Sequence, residues 1–272
     1  MSIRPAAVAG RFYPSDPDRL RATVRGYLDG SAVAPAPEQV MCIVAPHAGY
    51  PYSGPTAGHA FRRIAGMTPR RVMLLGPSHY FRFGGISVYD RGVWETPLGR
   101  VPVDEAFAAE LVARFGSNCP EAHTPEHALE VELPFLQVAL APGFSVVPVL
   151  LGGEPGGAGT QLAEYLAESM APGDLLVAST DLSHFLSQAE ANAIDRHSLE
   201  VLLAGNPDGV RQGVCDRTCS MCGAAAVHAA LLTANHRAAG SRRLWDYRTS
   251  GAATGDFARV VGYGAVSLEF PA

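Results

Sequence analysis

Three apolar runs in this 272-residue chain each end in a histidine. Residues 40–45 lead into Pro46-His47-Ala48-Gly49-Tyr50, and residues 72–75 into Gly76-Pro77-Ser78-His79-Tyr80. Residues 174–178 lead into Ser179-Thr180-Asp181-Leu182-Ser183-His184, which adds a carboxylate. Imidazole ligates metal ions when neutral and exchanges protons near neutral pH, so these groups suit metal binding or general acid–base work. One such histidine by itself is ordinarily a hydrogen-bonded loop or core residue. Three at equivalent places are different, because ligands of open α/β sheets bind outside the carboxyl ends of the strands.

A second set of candidates is Cys215-Asp216-Arg217-Thr218-Cys219-Ser220-Met221-Cys222. Its C-x3-C-x2-C spacing resembles the iron–sulfur cluster motif of radical SAM enzymes, although only 50 residues follow it here, against most of a partial barrel in those enzymes. Two other readings stand beside it. Cys222 can be a lone thiolate before Gly223 at a helix N-terminus, or all three can be small buried apolar residues. A third set is His123-Thr124-Pro125-Glu126-His127-Ala128-Leu129-Glu130. Pro125 argues against one continuous helix through both histidines. Glu126 or Thr124 is read as a cap of the helix that follows, His127 and Glu130 as residues that either support ligands from behind or line a pocket entrance, and His123 as structural. His59, His197, His228 and His236 fall in helical stretches with no partner in view. Residues 152–159 are glycine-rich but lack dinucleotide or P-loop phasing and read as a surface turn.

The elements that must position these groups alternate along the chain. Ser15 is read as the cap of a helix carrying Leu20, Val24 and Leu28 and ending at Gly30. Strands are expected at 40–45, 72–75, 86–89, 144–151 and 174–178, mostly as continuous apolar runs of the kind buried on both faces. Helices are expected at 57–64, 104–115, 130–140, 161–169, 188–203 and 222–233, and two antiparallel strands at 243–247 and 258–268. That pattern predicts one α/β domain over 1–272, with a mostly parallel or mixed central sheet flanked by helices. The net charge of −5 argues against a nucleic-acid surface, and the 21 basic residues are all Arg. Without lysine there is no Schiff-base, P-loop or kinase chemistry. The opening residues form no apolar leader, so a cytoplasmic location with reduced thiols is expected. The uncharged stretch 218–236 carries Ser, Thr, Asn and two His and reads as a core helix, not a membrane span.

Read together, the segments are familiar. Ala9-Gly10-Arg11-Phe12-Tyr13-Pro14, Pro46-His47-Ala48-Gly49-Tyr50, Tyr52-Ser53-Gly54, Leu75-Gly76-Pro77-Ser78-His79, Thr96-Pro97-Leu98 and Val103-Asp104 come first. Glu126-His127 with Glu130, Leu133-Pro134, Ser179-Thr180-Asp181 with His184, and Cys222-Gly223 follow in order. The ordered set resembles the Memo family, called AmmeMemoRadiSam system protein B in prokaryotes, over essentially the whole chain. The resemblance implies a fold similar to type III extradiol dioxygenases, with His47, His79 and Cys222 as metal ligands. It also implies His184 as the base, with Asp181 beside it, and His127, Glu130, Tyr50 and Tyr80 around the pocket. Fe(II) or Cu(I) is the implied ion, with Zn(II) as the alternative, since thiolate and imidazole form a soft donor set. The implied activity is a metal-dependent oxidoreductase of dioxygenase type; the alternative is a non-enzymatic metal-handling or peptide-binding module. Implied partners are a small molecule or peptide at the pocket and a radical SAM protein. Two departures from the family pattern are Tyr80, where a second His is common, and Ala224-Ala225-Ala226 after Cys222-Gly223, where a basic residue and Pro are usual.

Overall fold

The computed structural model describes residues 2–117 and 119–271. Its main sheet has the strand order β10 (Ser241–Thr249), β11 (Val260–Glu269), β2 (Val40–Ala45), β8 (Leu175–Ser179), β3 (Arg71–Pro77), β7 (Ser145–Gly152) and β4 (Gly85–Val88). The four central strands are β2, β8, β3 and β7, and all run parallel. Apart from the ends of β7 they are buried throughout, as continuous Val/Leu/Ile/Met runs require when helices cover both faces. The edges are antiparallel: β4 joins β7, while β11 joins β2 and carries β10 on its far side. A short β9 (His184–Leu186) pairs with β11. Separately, β1 (Ile3–Arg4), β5 (Val93–Thr96) and β6 (Gly99–Pro102) form a small three-stranded sheet.

Helices α1 (Pro17–Asp29), α2 (Tyr50–Arg63) and α4 (Glu132–Ala139) pack on one another. A second group comprises α5 (Ala158–Ser169), α6 (Gln188–Leu203), α7 (Pro207–Cys215) and α8 (Ala224–His236). Helix α3 (Glu105–Phe115) rests on β4 and β7, and α9 (Gly251–Thr254) is a single turn. Among the described residues no helix is long and apolar enough to cross a membrane.

Three local expectations are corrected. The cap of α1 is Asp16, not Ser15, because its carboxylate accepts the Arg19 N–H at 2.8 Å. Helix α2 begins at Tyr50, seven residues before the expected start, with Pro51 in the first turn, where no N–H is needed. It continues through Pro55 because Gly54 and Gly58 let it lie against Tyr27 of α1; a Cβ on Gly54 would come within 2.4 Å of that ring. Finally, α4 starts at Glu132 after Val131, which provides no side-chain cap, and Glu126 is engaged elsewhere.

Candidate metal centre

The parallel strands deliver the site by equal steps. His47, His79 and Asp181 each stand two residues beyond the last residue of β2, β3 and β8. The registers Ala45↔Ser179 and Leu75↔Ala178 bring those ends level. The fourth arm is the start of α8. There the Gly223 N–H donates to Thr180 Oγ1 at 2.8 Å, and a Cβ on Gly223 would lie 2.3 Å from the Ser179 carbonyl. Only glycine lets α8 abut β8 so closely, and this approach brings Cys222 to the strand ends.

The ligating atoms of His47, His79 and Cys222 all lie within 4.8 Å of one another. His47 is buried, with Nδ1 2.7 Å from Ser179 Oγ and Nε2 3.3 Å from Cys222 Sγ. The His79 and His47 ring centroids are 5.1 Å apart. His79 Nδ1 is 2.8 Å from Glu126 Oε1, and its backbone N–H donates to Glu126 Oε2 at 2.6 Å. Each imidazole thus has Nδ1 occupied by a neighbour and Nε2 available, the arrangement by which surrounding groups orient histidine ligands. Burial, then neighbouring His79, pushes His47 down to about 3, which keeps the ring neutral. Burial, then the Asp181 charge, pushes the Cys222 thiol up to about 12, so the metal-free site holds a thiol that an arriving cation would deprotonate.

Glu126 is the residue that sequence reasoning misplaced. Its Oε1 also accepts the N–H groups of His127 and Ala128, both at 3.0 Å. Burial would raise this carboxyl, but the hydrogen bond and charge of His79 outweigh it and hold the group at about 2. Glu126, His79 and His127 also lie close enough to count as three donors, yet Oε1 already receives three hydrogen bonds and braces His79. The signal was present as Glu126-His127, but only the fold shows that the carboxylate turns back to His79.

Asp181 joins the arms. Its Oδ1 accepts the His47 N–H at 2.9 Å, its N–H donates to Cys222 Sγ at 3.2 Å, and its carbonyl accepts the Cys222 N–H at 3.1 Å. Burial pushes its carboxyl up to about 6 despite the His47 hydrogen bond. His184 is exposed and close enough for its charge to bear on both His47 and Asp181. Its Nδ1 lies 2.8 Å from the Leu182 carbonyl, an acceptor only, so Nδ1 carries a proton and Nε2 is the nitrogen left for proton exchange. Asp195 secures this loop by accepting the Ser183 N–H at 2.9 Å and the Tyr247 hydroxyl at 2.9 Å.

His127 stacks on His79 at 4.5 Å, with the exposed Tyr80 hydroxyl 3.4 Å from its Nδ1. Glu130 and Tyr50, expected either behind the ligands or around the pocket, are both buried. Glu130 accepts from Arg4, the Ala7 and Val8 N–H groups and the Tyr13 hydroxyl, and so ties down the N-terminal segment. That segment sets Phe12 against His127 at 4.7 Å. Tyr50 is buried, and its hydroxyl donates to the Val131 carbonyl at 2.9 Å. His123 is buried against the Ser87 carbonyl, away from the cluster. Cys215 is exposed and Cys219 buried, and among the described residues neither joins Cys222 in a three-donor group.

Residues 4–267 match the Memo-like protein family. A MEMO1 family protein of Methanopyrus kandleri is 35% identical, covering 97% of this chain and 98% of its own length. One from Thermotoga petrophila is 36% identical over 96% and 97%, and one from Aeropyrum pernix 35% over 98% and 100%. The chain belongs to the Memo-like protein family.

Proposed function

We propose that the chain binds one transition metal ion through His47, His79 and Cys222 and acts as a metal-dependent oxidoreductase on a small molecule entering beside His184. The observation that carries this reading is the convergence of two imidazoles and a thiol within 4.8 Å, each imidazole with Nδ1 already engaged. The donor set is soft, which favours Fe(II) or Cu(I), with Zn(II) as the alternative. Three protein ligands leave positions open, as catalytic sites require and structural sites lack. Bound there, a redox-active ion would supply Lewis acidity and one-electron chemistry. The chain's own groups do the rest. His184 accepts a proton from the substrate at Nε2, and Asp181 keeps His47 and Cys222 in place. The neutral His127 and the Tyr80 hydroxyl line the approach and orient the ligand. The test is metal analysis of protein purified without added metal or chelator, followed by oxygen uptake of Fe(II)- or Cu(I)-loaded protein against a catechol panel. Turnover that disappears in His184→Ala supports the reading. Tight metal binding without turnover on any substrate would turn it into a metal-handling module, and absence of metal binding would end both.

A further inference from the structure

Behind His47 lies a buried polar cluster of which the chemistry above uses only the Ser179 contact. Ser179 Oγ sits 2.7 Å from His47 Nδ1, 2.8 Å from the Ala128 carbonyl oxygen and 2.8 Å from Glu132 Oε1. Ser179 and Glu132 are both completely buried. A hydroxyl has one hydrogen to give and two lone pairs to receive with. The Ala128 carbonyl can only accept, so it must take that hydrogen. Otherwise two oxygens would face each other at 2.8 Å with nothing between them. The other two partners must then donate to Oγ. His47 can do so only from Nδ1–H, and Glu132 only as a protonated acid.

We propose that Ser179, closed off by a neutral Glu132, is a positioning residue that fixes His47 with its proton on Nδ1 and the Nε2 lone pair facing Cys222 and His79. The functional importance of that lone pair rests on the metal-centre reading; the hydrogen-bond count does not. Other observations agree. Glu132 Oε2 has no hydrogen-bond partner among the described residues, and no arginine pairs with this side chain, an untenable environment for a bare carboxylate. Burial holds the Glu132 carboxyl well above its usual range, and the nearby Asp181 charge adds to this. The opposite tautomer would aim Nε2–H at Cys222 Sγ, 3.3 Å away, and remove the lone pair from the site.

The test uses metal-free, full-length protein with nitrogen-15-labelled histidine. In the wild type, His47 should show a protonated Nδ1 and an unprotonated Nε2; the reverse pattern would overturn the proposal. Infrared difference spectra of wild type minus Glu132→Gln should contain a protonated-carboxyl C=O stretch, and a carboxylate band in its place would also overturn it. Glu132→Gln, whose amide still donates to Oγ, should keep the wild-type tautomer. Ser179→Ala should yield mixed tautomers and bind Zn(II) or Co(II) about tenfold or more weakly. A folded Ser179→Ala with wild-type tautomer and affinity would refute the positioning role. Should that variant not fold, the wild-type tautomer and the infrared band still decide. A wild type that binds no metal while showing the expected tautomer and band would sink the metal-centre reading and leave this proposal standing.

Discussion

Replacing Glu126 by Gln separates bracing a ligand from merely filling space. The carboxylate receives four hydrogen bonds: His79 Nδ1 at 2.8 Å, the His79 N–H at 2.6 Å, and the His127 and Ala128 N–H groups at 3.0 Å. A glutamine has one oxygen, which would keep the three donors now on Oε1. Its NH2 would then face the His79 N–H across the 2.6 Å now spanned by a hydrogen bond. Leaving that buried donor unpaired costs about 1–3 kcal/mol. Loss of the charge also weakens the surviving bonds, since those to an ionised acceptor are roughly twice as strong as neutral ones. Groups that orient a metal-bound histidine are worth about 10–100-fold in affinity, or about 1.4–2.8 kcal/mol. Competition against a chromophoric chelator would measure that loss, alongside thermal unfolding of the metal-free protein. Destabilised Glu126→Gln whose metal affinity stays within about twofold of wild type would show that the carboxylate only supports the loop.

His184→Ala should retain metal at the wild-type level and lose any turnover, since its imidazole is held by the Leu182 carbonyl and not by the ligand cluster; metal loss in that variant would move His184 into the ligand set. Because the metal-free Cys222 thiol is pushed up to about 12, metal binding near neutral pH should release about one proton and tighten as pH rises. Calorimetry in buffers of different ionisation enthalpy would detect the proton, and buffer-independent heats would contradict it. Burial pushes His123 down from 6.5 to about 4, so the unfolded chain binds more protons between those values. Its contribution to stability is therefore complete above 6.5 and lost as pH falls toward about 4. His123→Gln should flatten the fall in melting temperature over that window; an identical fall in the variant would show that other groups carry it.

The strands bearing His47 and His79 were legible because each is a continuous apolar run broken by Pro or Gly, the pattern of parallel strands buried on both faces. The helix Gln188–Leu203 was legible from apolar positions at helical spacing, such as Ala191, Leu199 and Leu202, with a capping box at Ser187. Less could be read where tertiary contacts overrule local rules. Helix α2 runs through Pro55 because Gly54 and Gly58 seat it on Tyr27, a partner that no window of α2 contains. The small sheet was missed because strands of two to four residues, such as Ile3–Arg4, carry no period. At the site, strand-end histidines advertised themselves by position, and the roles of Cys222 and His184 came through family resemblance. Glu126, Ser179 and Glu132 were invisible as supporting groups because their partners lie 47 to 132 positions away in the chain. Glu130, read as a supporting or entrance residue beside His127, accepts the Ala7 and Val8 N–H groups, a role its local sequence does not reveal.

If His47, His79 and Cys222 jointly hold a metal ion, metal content across single substitutions reveals it. Cys222→Ser, His47→Ala and His79→Ala should each lose most of the metal found in wild type. Cys215→Ser and Cys219→Ser should keep it, because neither thiol joins the cluster among the described residues. Equal losses in all three cysteine variants with metal retained in His47→Ala, together with a brown anaerobic wild type, would contradict the account in favour of an iron–sulfur cluster. Unchanged metal in Cys222→Ser, His47→Ala and His79→Ala would contradict it altogether.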